Sequence, residues 1–331
     1  MEVDAWSLGP TGLLFDRHWA IVNAKGTALT QKRAAKLSQI QPRIDLKRGV
    51  LTLESPGVDP LTIPLRAAAA VAAAGAAAPN SSPASPLREV RVCATKCQTI
   101  PEISQGAGAW LSRVLGQPAT LVRLSEARRV KARKRPARSS ARGRGAGADA
   151  KQKKQQQQQA SGAEAAMGAA LGFANEGQFL LVSEASVRAV AGRLAEGDAD
   201  AKKIDYRRFR PNFVVSGTHA FDEDRWKGIL FSSRAEEEEK GQTTTQTAAV
   251  AGGGHEGIAM KVTGPCVRCQ MVDIDQQAGV KNASLLKTLA GFRRKDNQIV
   301  FGMLLEMADP AQNRAKASNV IRVGDRATPR E

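Results

Sequence analysis

Apolar residues recur along this chain in short runs separated by turn residues, and the spacing turns helical at only a few places. Positions 18–23, ahead of Ala24-Lys25-Gly26-Thr27, read as strand, turn, strand. Positions 50–53 and 61–65 repeat the pattern, and 90–94 and 121–124 add two further predicted strands. Over 103–115 the period changes: Ile103, Ala107, Trp110, Leu111 and Val114 fall on one face, which predicts a helix with Trp110 packed in the core. A strand over 179–182 ends in Ser183, whose hydroxyl can cap a helix bearing Val187, Val190 and Leu194, with Gly197 as its stop. Beyond it the pattern gives a strand at 212–217, a turn or short helix at 221–226, strands at 258–263, 270–274 and 299–307, a helix at 284–290, and a closing strand at 320–323. Many strands, few helices and glycine-marked turns predict a mixed, β-rich (α+β) fold built on a barrel or sandwich with helices attached.

Three stretches break the pattern. Positions 67–86 are Ala, Ser and Pro; 125–172 are basic and Gln-rich; 232–257 contain the run Glu236 to Glu239, read as solvated loop. Such composition buries too little apolar area to offset chain entropy, so disordered low-complexity insertions are expected. The organisation that follows is a first β-rich domain over 1–124, a second over 173–325 and a tail at 326–331. The net charge of +17 suggests an anionic partner, but 13 basic and 2 acidic residues between Arg123 and Lys154 supply +11 of it. That segment has no aromatics interleaved for base stacking, so nucleic acid is not the expected partner. Four cysteines, with no secretory leader after Met1, point to a reducing, cytoplasmic setting. The most apolar run, 67–78, is mostly alanine and falls short of the roughly 20 residues of a membrane span.

The chemistry concentrates in Gly264-Pro265-Cys266-Val267-Arg268-Cys269-Gln270-Met271. An arginine between two thiols favours thiolate, the form that binds soft metals and attacks sulfur. By spacing alone the pair remains open between buried structural cysteines, half of a zinc site completed by Cys93 and Cys97, a redox pair, and another metal or sulfur role. Arg207-Arg208-Phe209-Arg210-Pro211-Asn212 carries guanidinium groups into a strand, where their fork suits phosphate or carboxylate unless it is only a solvated edge. Asp16-Arg17-His18-Trp19 places another arginine at a strand start, and His18 alone is weak as a metal ligand.

The run Gly12 to Trp19, then Leu29-Thr30-Gln31-Lys32, Arg208 to Asn212, Gly264 to Met271, and Asp273-Ile274-Asp275-Gln276-Gln277-Ala278-Gly279, taken in order, resembles the carboxy-terminal region of eukaryotic molybdenum cofactor sulfurases. The resemblance implies a MOSC β-barrel preceded by a β-barrel-like companion, together holding molybdopterin in a cleft. It implies Cys269 as the molybdenum-side thiolate, and Arg17, Arg210 and Asn212 as holders of pterin and phosphate. Arg268 joins them as a cofactor-binding candidate, and Cys266 as a catalytic candidate poised between a persulfide relay and packing. Family members carry a pyridoxal-phosphate cysteine desulfurase domain upstream, and a Lys-Ser-bearing strand just ahead of this region. Neither is in this sequence, which is therefore expected to depend on a desulfurase partner or to be a truncated form. The implied clients are enzymes of the xanthine dehydrogenase and aldehyde oxidase type. The alternative is an independent molybdenum oxidoreductase similar to the amidoxime-reducing component.

Overall fold

The computed structural model describes residues 2–9, 11–65, 88–92, 95–101, 106–124, 130–131, 170–171, 176–194, 204–233, 257–308 and 319–331. The three simple-composition stretches lie almost wholly outside these residues, as do Cys93, Ile103 and Gly197.

The chain opens with a hairpin of β1 (Ala5–Gly9) and β2 (Gly12–Leu13). After β3 (Trp19–Val22), a meander of β4 (Gln41–Asp45), β5 (Val50–Ser55) and β6 (Val58–Pro64) forms one small antiparallel sheet. With β7 (Arg88–Val92), β8 (Thr95–Pro101) and β9 (Thr120–Leu124), β3 builds another, in the order β3-β9-β8-β7. Between β8 and β9 lies helix α1 (Ala107–Leu115), ending where the pattern predicts, with Gly106 before it and Gly116 after it in left-handed backbone; positions 103–105 of the predicted helix lie outside the described residues. Its buried face, Ala107, Trp110, Leu111 and Leu115, closes the core over Leu51, Leu53, Ile63 and Leu121. The Trp110 indole N–H, which could not be buried unpaired, donates to the Asp59 carbonyl at 2.6 Å.

Two short strands, β10 (Val130–Lys131) and β11 (Ala170–Leu171), pair antiparallel and bring the two sides of the basic segment together. The second domain is a sheet of β12 (Phe179–Ser183), β13 (Phe213–Val215), β14 (Gly228–Ser232), β15 (Ile258–Val267), β16 (Arg294–Lys295), β17 (Gln298–Met307) and β19 (Arg326–Arg330). Its order is β13-β12-β17-β15-β14-β19, antiparallel except for the parallel β12–β13 pair. Both faces are buried. Phe179 and Leu181 point into the barrel with Phe213, Ile229, Met260 and Leu305, whereas Val182 and Phe301 face outward under helices α2 (Glu184–Ala191) and α3 (Ser284–Phe292). This accounts for the nearly continuous apolar run at 179–182.

Side chains set the helix boundaries. Ser183 Oγ accepts from the Ser186 amide, as its position predicts, but α2 stops at Ala191 with Gly192 as its cap, ahead of the expected Gly197. The Asp273 carboxylate accepts from the Leu286 amide in the first turn of α3, a cap supplied from a distant segment.

Three sequence expectations change. Positions 270–274, read as a strand, form a 3-10 turn (Gln270–Asp273) because Val272, Asp273 and Ile274 are buried by tertiary packing against α3 rather than by a sheet neighbour. The expected tail is strand β19, paired along the whole of β14; it shows no apolar alternation because it is an exposed edge. The opening hairpin, counted with the first domain, pairs through β1 with β18 (Val320–Arg322) and buries Leu8 in the core of the second.

Candidate functional site

The site forms where strand β15 leaves its sheet. Two register shifts against β17, at Val262/Gly264 and Pro265/Val267, bend the strand; on the other side of β17, a left-handed Gly302 lets it close up on β12, where a Cβ would stand 2.7 Å from the Leu181 carbonyl oxygen. Past the second shift the Arg268 amide makes one last bond, to Ile299 O at 2.7 Å, and the chain turns away through Cys269 into the 3-10 turn.

The bend gives the two cysteines different surroundings. Cys266 Sγ accepts from Arg268 Nη1 at 3.1 Å, and its thiol is pushed up by burial, against which the Arg268 cation works. Cys269 stands partly exposed just ahead of the turn and is coupled electrostatically to both Cys266 and Arg210. Arg268 Nη2 donates to the Phe209 carbonyl at 2.7 Å, and its guanidinium lies 5.5 Å from the Phe209 ring centroid. Phe209, fully buried against Phe301, anchors the turn that presents Arg210.

The arginine run sorts by direction. Arg207 donates to Glu2 at 2.7 Å and leaves the site; Arg208 is buried and reaches Asp275 at 3.5 Å. Arg210 follows the 3-10 turn Tyr206–Phe209 in left-handed backbone (φ 57°). A non-glycine residue held there costs about 1 kcal/mol or more, and at Arg210 this aims the side chain toward Arg17, Arg268 and Cys269. Its guanidinium ion-pairs with no carboxylate among the described residues. Arg210 as a whole residue is exposed, yet protein surrounds its charged end. That enclosure, with the neighbouring Arg17 and Arg268 cations, lowers its pKa to about 10, leaving it charged at neutral pH.

Arg17 is also left-handed (φ 52°), on the turn between β2 and β3. It donates to Asp16 at 2.7 Å and to Asn212 Oδ1 at 3.4 Å, while Asn212 Nδ2 donates to Asp16 at 3.0 Å. The same Asn212 Oδ1 accepts from the Leu180 amide at 3.0 Å, tying the Arg17 turn to the first strand of the second barrel. The structure thus brings together Arg17, Arg210, Asn212, Arg268, Cys266 and Cys269. Cys93 and the side chain of Cys97 lie outside the described residues.

Asp16 and Phe209 belong to the site although sequence reasoning did not single them out; flanking Arg17 and Arg210 was their only signal. The motif around Gln276 has a different place. Gln31 and Gln276 exchange side-chain amide bonds at 2.9 and 3.2 Å, and Gln39 donates to Ala278 O, so both glutamine motifs meet across the domain boundary. Three cations, one carboxylate and a partly exposed thiol brought together here fit an anionic, phosphate-bearing ligand with a soft reactive end. Among the described residues no helix is long and apolar enough to cross a membrane.

Two family models match the chain: the MOSC N-terminal beta barrel domain over residues 1–118 and the MOSC domain over 169–328. Proteins named molybdenum cofactor sulfurase are similar to it. The human protein is 28% identical over 92% of this chain and 28% of its own length, and the rice protein 30% identical over 99% and 33%. The zebrafish protein is 29% identical over 99% and 32%. The chain therefore spans about a third of the length of the curated relatives it matches. Among solved structures, a Bordetella bronchiseptica protein aligns with a TM-score of 0.26 at 19% identity over 36% of this chain and 88% of its own, so the fold rests on this chain's own strand pairing.

Proposed function

Since the chain belongs to the MOSC domain family, carrying both the MOSC domain and its N-terminal beta barrel, we propose that it holds the molybdenum cofactor and acts in its sulfuration. The observation that carries this reading is Arg210: a cation without a carboxylate partner among the described residues, enclosed by protein beside Arg17, Arg268 and the partly exposed Cys269. An anion entering there exchanges cation repulsion for charge-assisted hydrogen bonds. Arg17 and Arg210 hold the phosphate end, and Asn212 and Asp16 keep the Arg17 turn in place. Cys269 offers a thiolate to molybdenum, a soft donor suited to that metal, and Arg268 fixes the strand end that carries it. The cofactor, when bound, supplies the metal centre that accepts sulfur and later serves oxidoreductase chemistry.

In this reading sulfur arrives from a cysteine desulfurase domain or protein that uses pyridoxal phosphate, and the clients are enzymes of the xanthine dehydrogenase and aldehyde oxidase type. The test is metal and pterin analysis of the protein purified from a host that makes the cofactor. Molybdenum and pterin retained by the parent and reduced in Cys269→Ala and Arg210→Gln support the reading; neither retained by the folded parent refutes it. Turnover of an N-hydroxylated compound by the loaded protein would instead favour the oxidoreductase alternative.

A further inference from the structure

Two stretches of the chain carry bases without acids: positions 23–44 hold five Lys or Arg and no Asp or Glu, and positions 276–295 hold five and none. The fold lays them side by side. Gln31 exchanges amide hydrogen bonds with Gln276 at 2.9 and 3.2 Å, and Gln39 donates to the Ala278 carbonyl at 3.4 Å, so the stretch between the two glutamines runs beside the 275–280 loop. Lys32, Arg33 and Lys36 stand exposed on that stretch. Past the loop comes Lys281, also exposed, whose Nζ donates to Gln270 Oε1 at 3.3 Å, on the residue next to Cys269. None of these four cations ion-pairs with a carboxylate among the described residues, whereas Arg43 and Arg293 in the same stretches pair with Glu54 and Asp224. The loop's own carboxylate is engaged: Asp275 Oδ1 accepts from the Gln277 and Ala278 amides at 2.8 and 2.9 Å, and its Oδ2 faces Arg208.

The same loop presents Val280, which is 59% exposed. It is held in place rather than left to fold away: the Asp275 amide donates to the Val280 carbonyl at 2.8 Å, and the Gln39 side chain lies against Gly279. An apolar side chain on a braced loop, with unmatched cations beside it, has the make-up of half a protein interface, apolar at the centre and charged at the rim. Nucleic acid fits less well, because positions 23–44 and 276–291 offer no aromatic ring on which a base would stack. One valine is also too little apolar surface to seat a face in a bilayer.

We propose that this face docks an acidic partner protein, the client that must approach Cys269, with its carboxylates meeting Lys32, Arg33, Lys36 and Lys281 and an apolar depression receiving Val280. The cations speed the encounter, and Val280 slows the departure. The inference rests on the sulfuration reading for the identity of the partner, but the surface is separate from the residues that hold the cofactor.

The probe is sulfur-free xanthine dehydrogenase from the same organism, and its association with and dissociation from the full chain are timed at about 50 and about 200 mM salt. Two double reversals change the net charge equally: Lys32→Glu with Lys36→Glu on the face, and Lys47→Glu with Arg48→Glu in the exposed turn at the far end of β4. The first should slow association at least about fivefold and flatten its salt dependence, while the second stays within about twofold of the parent. Lys281→Glu should slow association as well, and Val280→Asp should speed dissociation at least about fivefold. Equal effects of the two double reversals would overturn the proposal, since total charge and not this face would then govern the encounter. So would a parent that does not bind the enzyme, or face variants that bind it at the parent's rates while losing affinity for single-stranded RNA or for phosphatidylserine vesicles. Face variants that bind normally, with molybdenum and pterin still retained, sink this inference alone. A parent that docks through the face but retains neither sinks the cofactor reading alone.

Discussion

Replacing Asn212 with alanine tests how the two halves of the site are joined. The side chain accepts from the Leu180 amide at 3.0 Å and donates to Asp16 at 3.0 Å. Leu180 is buried, only 7% exposed, so the substitution leaves its N–H unsatisfied at about 1–3 kcal/mol. The bond to Asp16 is charge-assisted but partly solvated, since that carboxylate is 32% exposed, so its loss adds about 1 kcal/mol. A total of about 2–4 kcal/mol corresponds to roughly 5–15 °C in thermal midpoint for a fold of this size. The assay is urea denaturation combined with amide exchange at Leu180, which should lose protection beyond the global change. Asn212→Asp keeps the acceptor for Leu180 but sets a second carboxylate against Asp16, so its deficit should shrink as pH falls through the carboxylate range. An alanine variant within about 0.5 kcal/mol of the parent, with Leu180 still protected, would refute the junction as described.

Other outcomes follow from the same structure. Glu223 is buried and its pKa is raised chiefly by that burial, against a hydrogen bond from Ser186 at 2.9 Å. Its protonated form therefore favours the fold: that stability is complete below the ordinary carboxylate range and lost as pH rises through the raised pKa. Glu223→Gln should be more stable than the parent at neutral pH and lose that advantage near pH 4, as read by denaturation at both pH values. Gly302→Ala sets a Cβ 2.7 Å from the Leu181 carbonyl in left-handed backbone and should cost at least about 2 kcal/mol, measured by the denaturant midpoint. Gln276→Ala removes the reciprocal bonds to Gln31 and should speed amide exchange in the 275–280 loop while leaving the α3 amides protected.

Much of this fold is legible in the sequence where burial leaves a local period. The strands around Ile21, Leu51, Leu121 and Leu181 follow from apolar runs, and the Ser183 cap from its place before an amphipathic stretch. Legibility fails where long-range packing decides. Met271, Val272 and Ile274 look equally apolar in a strand or a 3-10 turn, and packing against α3 chooses the turn. The site residues stand out by chemistry, as arginines and cysteines in short clusters, but their division of labour does not. Arg207, Arg208 and Arg210 are near-identical letters, yet the first pairs with Glu2, the second with Asp275, and the third lies beside Arg17, Arg268 and Cys269. Only the left-handed turn before Pro211 separates them, and no residue-type preference encodes it.

The pairing of Ala5 with Arg322 sets a timetable for synthesis. At roughly 5–20 residues per second, the β1 strand leaves the ribosome about 15–60 s before its partner exists. Leu8 spends that interval without the core that later buries it. The first barrel can close early on its own sheets, but the second waits for the far end of the chain to return. Nascent chains stalled short of Val320 should therefore hold an accessible β1 edge, open to proteases and to chaperones that bind extended apolar segments.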